Sequence, residues 1–273
     1  MSRVPPRAGG TRLMDILTFD NVTLGYGSHA AVHHLSGSIA RGEKLAVIGG
    51  NGSGKSTLLK GIVGLLRPMG GRITRDGATR LAYLPQAAEV DRSFPARVID
   101  LVALGLWTKR GLWGRHSADD IARLHAALAR VGLAGFAERP LDALSGGQFQ
   151  RALFARVIVQ QADLILLDES FNGVDQPTEA DLLRLIADWS TEGRTVLTVL
   201  HDLDTVRQHF PRSLLLARDL IGWGATADVL TSANLARARG YTEAWDDDAP
   251  LCEAPPHEHL GGHSHEHTTR TPA

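Results

Sequence analysis

Hydrophobic positions along the chain follow two periods, one typical of strands and one typical of helices. Short and nearly continuous apolar runs predict strands at residues 44–48, 80–84, 164–167, 195–200 and 213–216. Helical spacing predicts helices at residues 55–66, 98–106, 118–131, 148–160, 179–189, 203–209 and 235–239. Strands that alternate with helices in this way indicate an α/β fold built on a parallel sheet.

Two departures from this alternation divide the chain further. Residues 15–24 alternate apolar and polar side chains, which predicts a small antiparallel lobe of edge strands with a turn at Asp20 and Asn21. No strand is predicted between the helices at 98–106 and 118–131, so we expect an inserted helical lobe there. The predicted organisation is an α/β core with a mixed sheet over residues 14–86 and 161–245, a helical lobe over 87–160, and a disordered extension over 1–13.

Composition separates the C-terminal tail from the rest of the chain. Apolar residues make up 43% and charged residues 22%, which fits a folded globular protein. Residues 246–273 hold six acidic residues and one arginine and show no periodicity, so we expect an acidic, flexible tail. The net charge of −1 then leaves +4 on the remaining residues, which is too little to favour a nucleic-acid partner.

Five histidines stand in this tail among glycine, serine and glutamate. Imidazole and carboxylate groups in a flexible segment suit a tetrahedral Zn²⁺ site. The alternative is a solvated tail with only adventitious affinity for metals, and the sequence does not decide between the two. The candidate zinc ligands are His257, His259, His263, His265 and His267.

The strongest chemical motif is a glycine-rich segment between a predicted strand and a predicted helix. It matches G-x-x-x-x-G-K-[ST], in which glycines let backbone N–H groups turn toward a phosphate and the helix N-terminus adds positive charge. Lys55 places a cation on the β- and γ-phosphates, and Ser56 supplies a hydroxyl ligand for Mg²⁺. The motif therefore predicts a nucleotide site formed by Gly49, Gly50, Asn51, Gly52, Ser53, Gly54, Lys55, Ser56 and Thr57.

A second motif places two carboxylates at the end of a buried strand. Residues 164–167 are continuously apolar, and Asp168 and Glu169 follow directly. In a doubly wound sheet this strand end lies beside the phosphate loop. We expect Asp168 to hold Mg²⁺, directly or through water, and Glu169 to act as the general base on the attacking water.

A third motif, Leu144 to Gln148 (LSGGQ), gives the chain its resemblance to the ATP-binding cassette (ABC) ATPases, whose signature this is. The resemblance extends over about residues 17–230. It implies ATP and Mg²⁺ as cofactors, with Gln86 as a catalytic residue and Mg²⁺ ligand and His201 as the contact to the γ-phosphate. One departure is Ser170, because the family usually has proline there. The resemblance also assigns nucleotide contacts to Tyr26 on the adenine and to Ser145, Gly146, Gly147, Gln148 and Asp175.

The resemblance implies a mechanism that needs two copies of the chain. Each ATP would lie between Lys55 of one subunit and Ser145 of the other, so ATP binding would close a homodimer and hydrolysis would open it. Movement would pass through the helical lobe to a membrane permease, docked on the apolar surface of residues 98–107 with Leu112 and Trp113. The alternative is that these side chains fill the core of the lobe itself.

Within the family, residues 91–107 and 168–175 look like the branch that energises zinc and manganese uptake, with zinc as the nearer resemblance. We therefore expect a zinc importer ATPase at the cytoplasmic face of the bacterial inner membrane, working with a permease and indirectly with an extracytoplasmic metal-binding protein. The alternatives are manganese as the cargo, an ABC-type ATPase not coupled to transport, and a metal-binding regulator. The absence of an 18-residue apolar run and the lone Cys252 fit a peripheral protein in a reducing compartment.

Overall fold

The strands of the protein form one nine-stranded mixed sheet in the part of the chain that the structure describes. A computed structural model describes residues 14–87, 90–107, 111 and 115–243. The strand order across the sheet is β4-β1-β2-β9-β8-β3-β7-β6-β5. The strands are β1 Asp15–Tyr26, β2 His29–Ala40, β3 Lys44–Ile48, β4 Gly70–Arg75, β5 Leu81–Leu84, β6 Leu164–Leu167, β7 Thr195–Val199, β8 Arg212–Ala217 and β9 Asp219–Ala225.

Helices cover this sheet and fill the long interval between β5 and β6. Short 3₁₀ segments at Leu104–Leu106 and Leu141–Ala143 connect some of them. The helices are α1 Lys55–Val63, α2 Val98–Ala103, α3 Ala118–Arg130, α4 Gly146–Gln160, α5 Gln176–Thr191, α6 Leu203–His209, α7 Thr226–Val229 and α8 Ser232–Glu243. The mixed α/β class that the sequence predicts is therefore confirmed.

The five strands at the β5 end of the sheet are parallel and bring four loops to one edge. β8, β3, β7, β6 and β5 pair in parallel in that order, and every residue of β6 and β7 is buried. Parallel strands covered on both faces need continuous apolar sequence, which is the pattern that predicted them. The carboxyl ends of β3, β5, β6 and β7 consequently lie side by side.

The sequence analysis does not predict three strands in the antiparallel part of the sheet, namely β2, β4 and β9. β1 pairs with β2 and β4, and β9 pairs with β8. β4 has one partly buried residue and five exposed ones, and two glycines weaken the pattern of β9. Both strands are stabilised by their pairing within the sheet, so their own hydrophobic pattern carries little signal.

The predicted turn at Asp20 and Asn21 is wrong. β1 continues through these residues, and its register against β2 shifts between Phe19 and Val22. Asn21 adopts a left-handed backbone with φ of 50°, and its N–H donates to Ser36 Oγ at 3.0 Å. Asparagine tolerates this conformation better than most residues, so the chain accommodates a β-bulge where the sequence suggests a turn. β1 also lies between β4 and β2 and is not an edge strand.

Several helix ends differ from the predicted ones for identifiable reasons. α1 ends at Val63 because Gly64 takes a left-handed conformation with φ of 87°, and Gly132 with φ of 74° follows the end of α3. α4 begins before Gln148 because Ser145 caps it, and α5 begins before Glu179 because Asp175 caps it. The predicted single helix at 98–106 is α2 followed by a 3₁₀ turn.

The segment between β5 and β6 packs around its own apolar side chains. Val98, Leu101, Val102 and Leu106 are buried in the cluster that also covers one face of the sheet. For these four residues, burial favours the alternative of core packing over the docking surface that the sequence analysis expects. Leu104 and Trp107 remain about half exposed. The boundaries proposed for the lobe stay predictions, and residues 1–13, 246–273, Leu112 and Trp113 lie outside the described residues.

Candidate nucleotide site

The glycine-rich loop between β3 and α1 has no room for larger residues at its two ends. A Cβ on Gly49 would lie 2.1 Å from the carbonyl oxygen of Leu216, and a Cβ on Gly54 would lie 2.3 Å from that of Ala31. Gly54 also has a left-handed φ of 95°. The loop is therefore held close to neighbouring backbone, and its N–H groups precede the positive end of α1, which is the arrangement that binds phosphates.

Lys55 is the first residue of α1 and folds its ammonium group back over this loop. Its Nζ donates to the carbonyl oxygens of Gly49 at 3.0 Å and Gly50 at 2.8 Å, and the residue is only 5% exposed. Burial lowers the pKa of Lys55, and the charges of Glu169 and Asp168 act in the opposite direction. A phosphate placed against the ammonium would supply the counter-charge that burial demands, so Lys55 fits an anionic ligand.

A hydroxyl and a carboxylate meet beside the loop and form a suitable pair of magnesium ligands. Ser56 Oγ donates to Asp168 Oδ1 at 3.1 Å, and the Tyr83 hydroxyl donates to Asp168 Oδ2 at 3.4 Å. Asp168 is 1% exposed at the end of β6. Mg²⁺ prefers a few protein oxygen ligands together with phosphate oxygens and water. The donor atoms therefore fit this ion.

The carboxylate of Glu169 is hydrogen-bonded from three directions. His201 Nε2 lies 2.7 Å from Oε1, while Gln86 Nε2 and Asn172 Nδ2 donate to Oε2 at 2.9 Å and 2.8 Å. Glu169 itself has a left-handed φ of 46°, which is uncommon outside glycine and asparagine. The structure thus brings together Gln86, Glu169 and His201 as the sequence predicts.

Two residues of this cluster, Tyr83 and Asn172, are missing from the sequence-based site. Tyr83 lies on β5, one strand away from Asp168, and Asn172 lies three residues after Glu169. The rule that parallel strands end at one edge points to Tyr83 but does not give its side-chain direction. The contact of Asn172 depends on the conformation of the turn after Glu169, which the sequence pattern does not encode.

The signature segment is placed apart from the phosphate loop. Ser145 caps α4 by accepting from the N–H of Gln148 at 3.2 Å, and its own N–H donates to Gln148 Oε1 at 3.1 Å. A Cβ on Gly147 would lie 3.2 Å from Asp175 Oδ2, so the signature touches the loop that leads into α5. Hydrogen bonds from Thr178 lower the pKa of Asp175. Among the described contacts, none joins residues 145–148 to residues 49–57.

The remaining predicted residues lie at the margins of the site or outside the description. Tyr26 ends β1 opposite His29 and is 55% exposed, which leaves its ring accessible to a base. The five tail histidines lie outside the described residues. In the part of the chain that is described, no three side chains of His, Cys, Asp or Glu form a group that could hold a metal ion.

Comparison with known proteins gives a family and closely similar relatives. The family model described as ABC transporter matches residues 32–172. The manganese transport system ATP-binding protein MntB of Bacillus subtilis is 38% identical over 86% of this chain and 96% of its own length. The zinc transport system ATP-binding protein TroB of Treponema pallidum is 40% identical over 81% of this chain and 85% of its own.

Solved structures agree with the sequence comparison. A transporter described as an ABC transporter of the metal-chelate type, in an inward-facing conformation, is similar with a TM-score of 0.76 and 30% identity, over 83% of this chain and 90% of that one. An ATP-binding cassette in its ADP conformation has a TM-score of 0.72 at 22% identity, which shows the shared fold. On these grounds the chain belongs to the ABC transporter family, as one of its ATP-binding, ATP-hydrolysing proteins.

Proposed function

We propose that this chain is the ATP-hydrolysing motor subunit of an importer for a divalent metal ion. The single observation that carries the proposal is the convergence of the phosphate loop, Asp168, Glu169 and His201 at one edge of the parallel sheet. The relatives named for manganese and zinc transport support the metal as cargo.

Binding of ATP is assigned to the loop of residues 49–57, with Lys55 on the terminal phosphates and Tyr26 against the adenine ring. The loop amides and the N-terminus of α1 stabilise the negative charge of the phosphates. Lys55 already lies over the loop, so it has little reorganisation to make when a triphosphate arrives. Tyr26 is exposed enough to stack on a base.

Ser56, Asp168 and Gln86 are the residues that would hold Mg²⁺ beside the bound nucleotide. When bound there, the ion would neutralise part of the negative charge of the phosphates. Glu169 accepts the proton of the attacking water as general base, and His201, whose Nε2 lies 2.7 Å from that carboxylate, contacts the γ-phosphate. The two carboxylates thus have separate tasks, because Asp168 points to the Ser56 hydroxyl and Glu169 points to His201 and Gln86.

We further propose that hydrolysis takes place in a homodimer. The signature residues 145–148 present the N-terminus of a 15-residue helix, which is a second site for anions. Their separation from the phosphate loop of the same chain favours a nucleotide shared between two copies. Closure on ATP and opening after hydrolysis would then be the movement that drives transport.

A membrane permease is the proposed partner of the groove that residues 87 and 90–93 form with the start of α4. This groove has a volume of about 490 Å³, and Arg92, Phe149 and Gln150 are among its lining residues. Phe94, Leu104 and Trp107 are further exposed apolar residues of the segment between β5 and β6. No helix within the described ranges is long and apolar enough to cross a bilayer. We place the protein on the cytoplasmic face of the bacterial inner membrane, with an extracytoplasmic metal-binding protein as its indirect partner.

Zinc is the cargo we propose, with manganese as the alternative. Relatives of both kinds are similar at 38% and 40% identity, so the choice follows the nearer resemblance of residues 91–107 and 168–175 to the zinc branch. The histidines of the tail are compatible with zinc but do not decide the cargo. A strain lacking the gene should grow poorly when zinc is chelated and recover with the plasmid-borne gene. If the growth defect appears under manganese limitation instead, manganese is the cargo.

The catalytic part of the proposal is tested by Glu169→Gln. The substitution keeps the size of the side chain and removes the base, so steady-state ATP hydrolysis by the purified protein should fall at least about 100-fold while ATP still binds. Glu138→Gln is the matched control, because Glu138 is largely exposed and pairs with Arg97 away from the site. If E169Q hydrolyses ATP at the parental rate, Glu169 is not the base.

A further inference from the structure

Asn172 contacts the catalytic carboxylate through both its side chain and its backbone turn. Its Nδ2 donates to Glu169 Oε2 at 2.8 Å, and its main-chain N–H donates to the carbonyl oxygen of Glu169 at 3.2 Å. The segment from Glu169 to Asn172 is therefore a turn closed twice, once by the backbone and once by the side chain. The function described so far gives this residue no task in hydrolysis, although it also lines the groove proposed for the permease.

The three donors to Glu169 differ in where they are attached. Gln86 follows β5 and His201 follows β7, so neither belongs to the loop that carries Glu169. Both residues also have proposed tasks at the nucleotide, and contacts there would compete with their bonds to Glu169. Asn172 belongs to the same turn as Glu169, so its hydrogen bond can persist when the other two are drawn toward the substrate.

The two middle residues of this turn are held in place by packing. Ser170 is 1% exposed, and the ring of Phe171 packs against Phe154 with 6.4 Å between centroids. Glu169 holds a left-handed backbone with φ of 46°, which fixes the direction in which its side chain leaves the chain. With the backbone held in this way, the rotamer of the Glu169 side chain is the remaining freedom, and the amide of Asn172 restricts it.

We propose that Asn172 is a positioning residue that holds the Glu169 carboxylate in line for proton transfer during hydrolysis. The proposal rests on the function proposed above, in which Glu169 is the base. It goes further by assigning the orientation of that base to a donor on its own turn. A general base works only within hydrogen-bond reach of the proton that it accepts, so a loosened carboxylate lowers kcat without weakening nucleotide binding.

The test compares three substitutions at position 172 in the purified, full-length protein. N172A removes the donor and should lower kcat about tenfold, as expected for the loss of one hydrogen bond to a charged group, with KM for ATP changed by less than about twofold. N172D has the same size but places an acceptor against Glu169, so its kcat should fall further. N172Q keeps an amide donor and should retain more activity than N172A.

The controls separate a positioning role from a structural one. Asn234→Ala removes an amide that donates to the carbonyl oxygen of Val229 at 3.0 Å, and it should leave kcat unchanged. Thermal melting of every variant shows whether it is folded at the assay temperature. E169Q measured in parallel tests the function on which the proposal rests.

The order of kcat values decides the proposal. The proposal is supported if kcat decreases in the order wild type, N172Q, N172A and N172D while KM for ATP is preserved. Parental kcat in N172A or N172D, equal kcat in those two variants, or an effect on KM alone overturns it. Should N172A fail to fold, the same order is required of N172Q and N172D. An E169Q protein that remains active removes the proposed base, whereas an inactive E169Q with an active N172D removes only the role of Asn172.

Discussion

At the scale of single residues, Lys55 stabilises the glycine-rich loop and is also its candidate phosphate ligand. The ammonium group is nearly buried and hydrogen-bonds two carbonyl oxygens of the phosphate loop. Burial lowers the pKa of Lys55, because the charged form loses hydration. A bound phosphate would offset this free-energy cost. In the proposed function, the same side chain therefore holds the loop in shape before the nucleotide arrives and contacts the nucleotide afterwards.

Lys55→Ala should weaken ATP binding by at least about tenfold, because it removes a desolvated positive charge from the phosphate site. Binding of a fluorescent ATP analogue in titration measures the effect. Lys60→Ala is the matched control, since Lys60 lies on the same helix but in its last turn, away from the loop. Equal affinities of K55A and the wild type would show that the loop amides alone bind the triphosphate.

The sequence predicts which candidate site residues lie close together where a motif fixes them to the end of a strand. Lys55, Asp168, Glu169 and His201 all follow parallel strands, and the parallel pairing of β3, β6 and β7 brings them to one edge. Asn172 does not follow a strand directly. Its contact depends on the left-handed backbone of Glu169, and a helical or extended turn would place the amide elsewhere.

At the scale of elements, α5 is held against α4 by an aromatic stack. Trp189 is fully buried, and its ring is parallel to that of Phe154 within 7°, with 5.8 Å between centroids. Trp189 Nε1 is buried without an acceptor among the described residues, so the indole contributes by packing and not by its N–H group. This contact ties the signature helix to the helix that follows Asp175.

Trp189→Ala should therefore lower the free energy of unfolding by about 3–5 kcal/mol, through lost burial and the cavity left behind. Urea unfolding followed by circular dichroism measures the change. Trp189→Phe retains a ring against Phe154 and removes the unsatisfied N–H, so its loss should be clearly smaller. If both variants lose the same free energy of unfolding, the stack with Phe154 is not what stabilises the pairing of α4 and α5.

The elements that the sequence predicts and those it misses differ in how they are stabilised. β6 and β7 are apolar throughout because both of their faces are covered, and the apolar pattern reports this directly. β4 is mostly exposed and exists because β1 offers it a backbone partner. Helix ends such as Val63 depend on one glycine, and apolar spacing that continues past that glycine extends the predicted helix too far.

At the scale of the whole molecule, the fold separates two helix N-termini that the proposed mechanism brings to one nucleotide. α1 begins at the phosphate loop, and α4 begins at Ser145 beside the loop that leads into α5. One chain alone leaves the N-terminus of α4 without a phosphate. A two-fold related pair of chains would place each α4 opposite the nucleotide bound by its partner.

Ser145→Asp in the E169Q background tests this arrangement without disturbing the helix. Aspartate caps a helix about as well as serine, so α4 should keep its start. The new carboxylate would face the γ-phosphate held by the second chain. Two negative charges in contact repel strongly in a partly buried site. Sedimentation velocity should therefore show an ATP-dependent dimer for E169Q and a monomer for E169Q carrying S145D.

Ser145→Asn provides the matched control for this experiment. Asparagine is also a good N-cap and has the same shape as aspartate but no charge. E169Q carrying S145N should still form a dimer when ATP is added, so the difference between the two caps isolates the charge at position 145. A dimer that forms equally well with aspartate there would place the N-terminus of α4 away from the shared nucleotide, and the two-fold arrangement would have to be replaced.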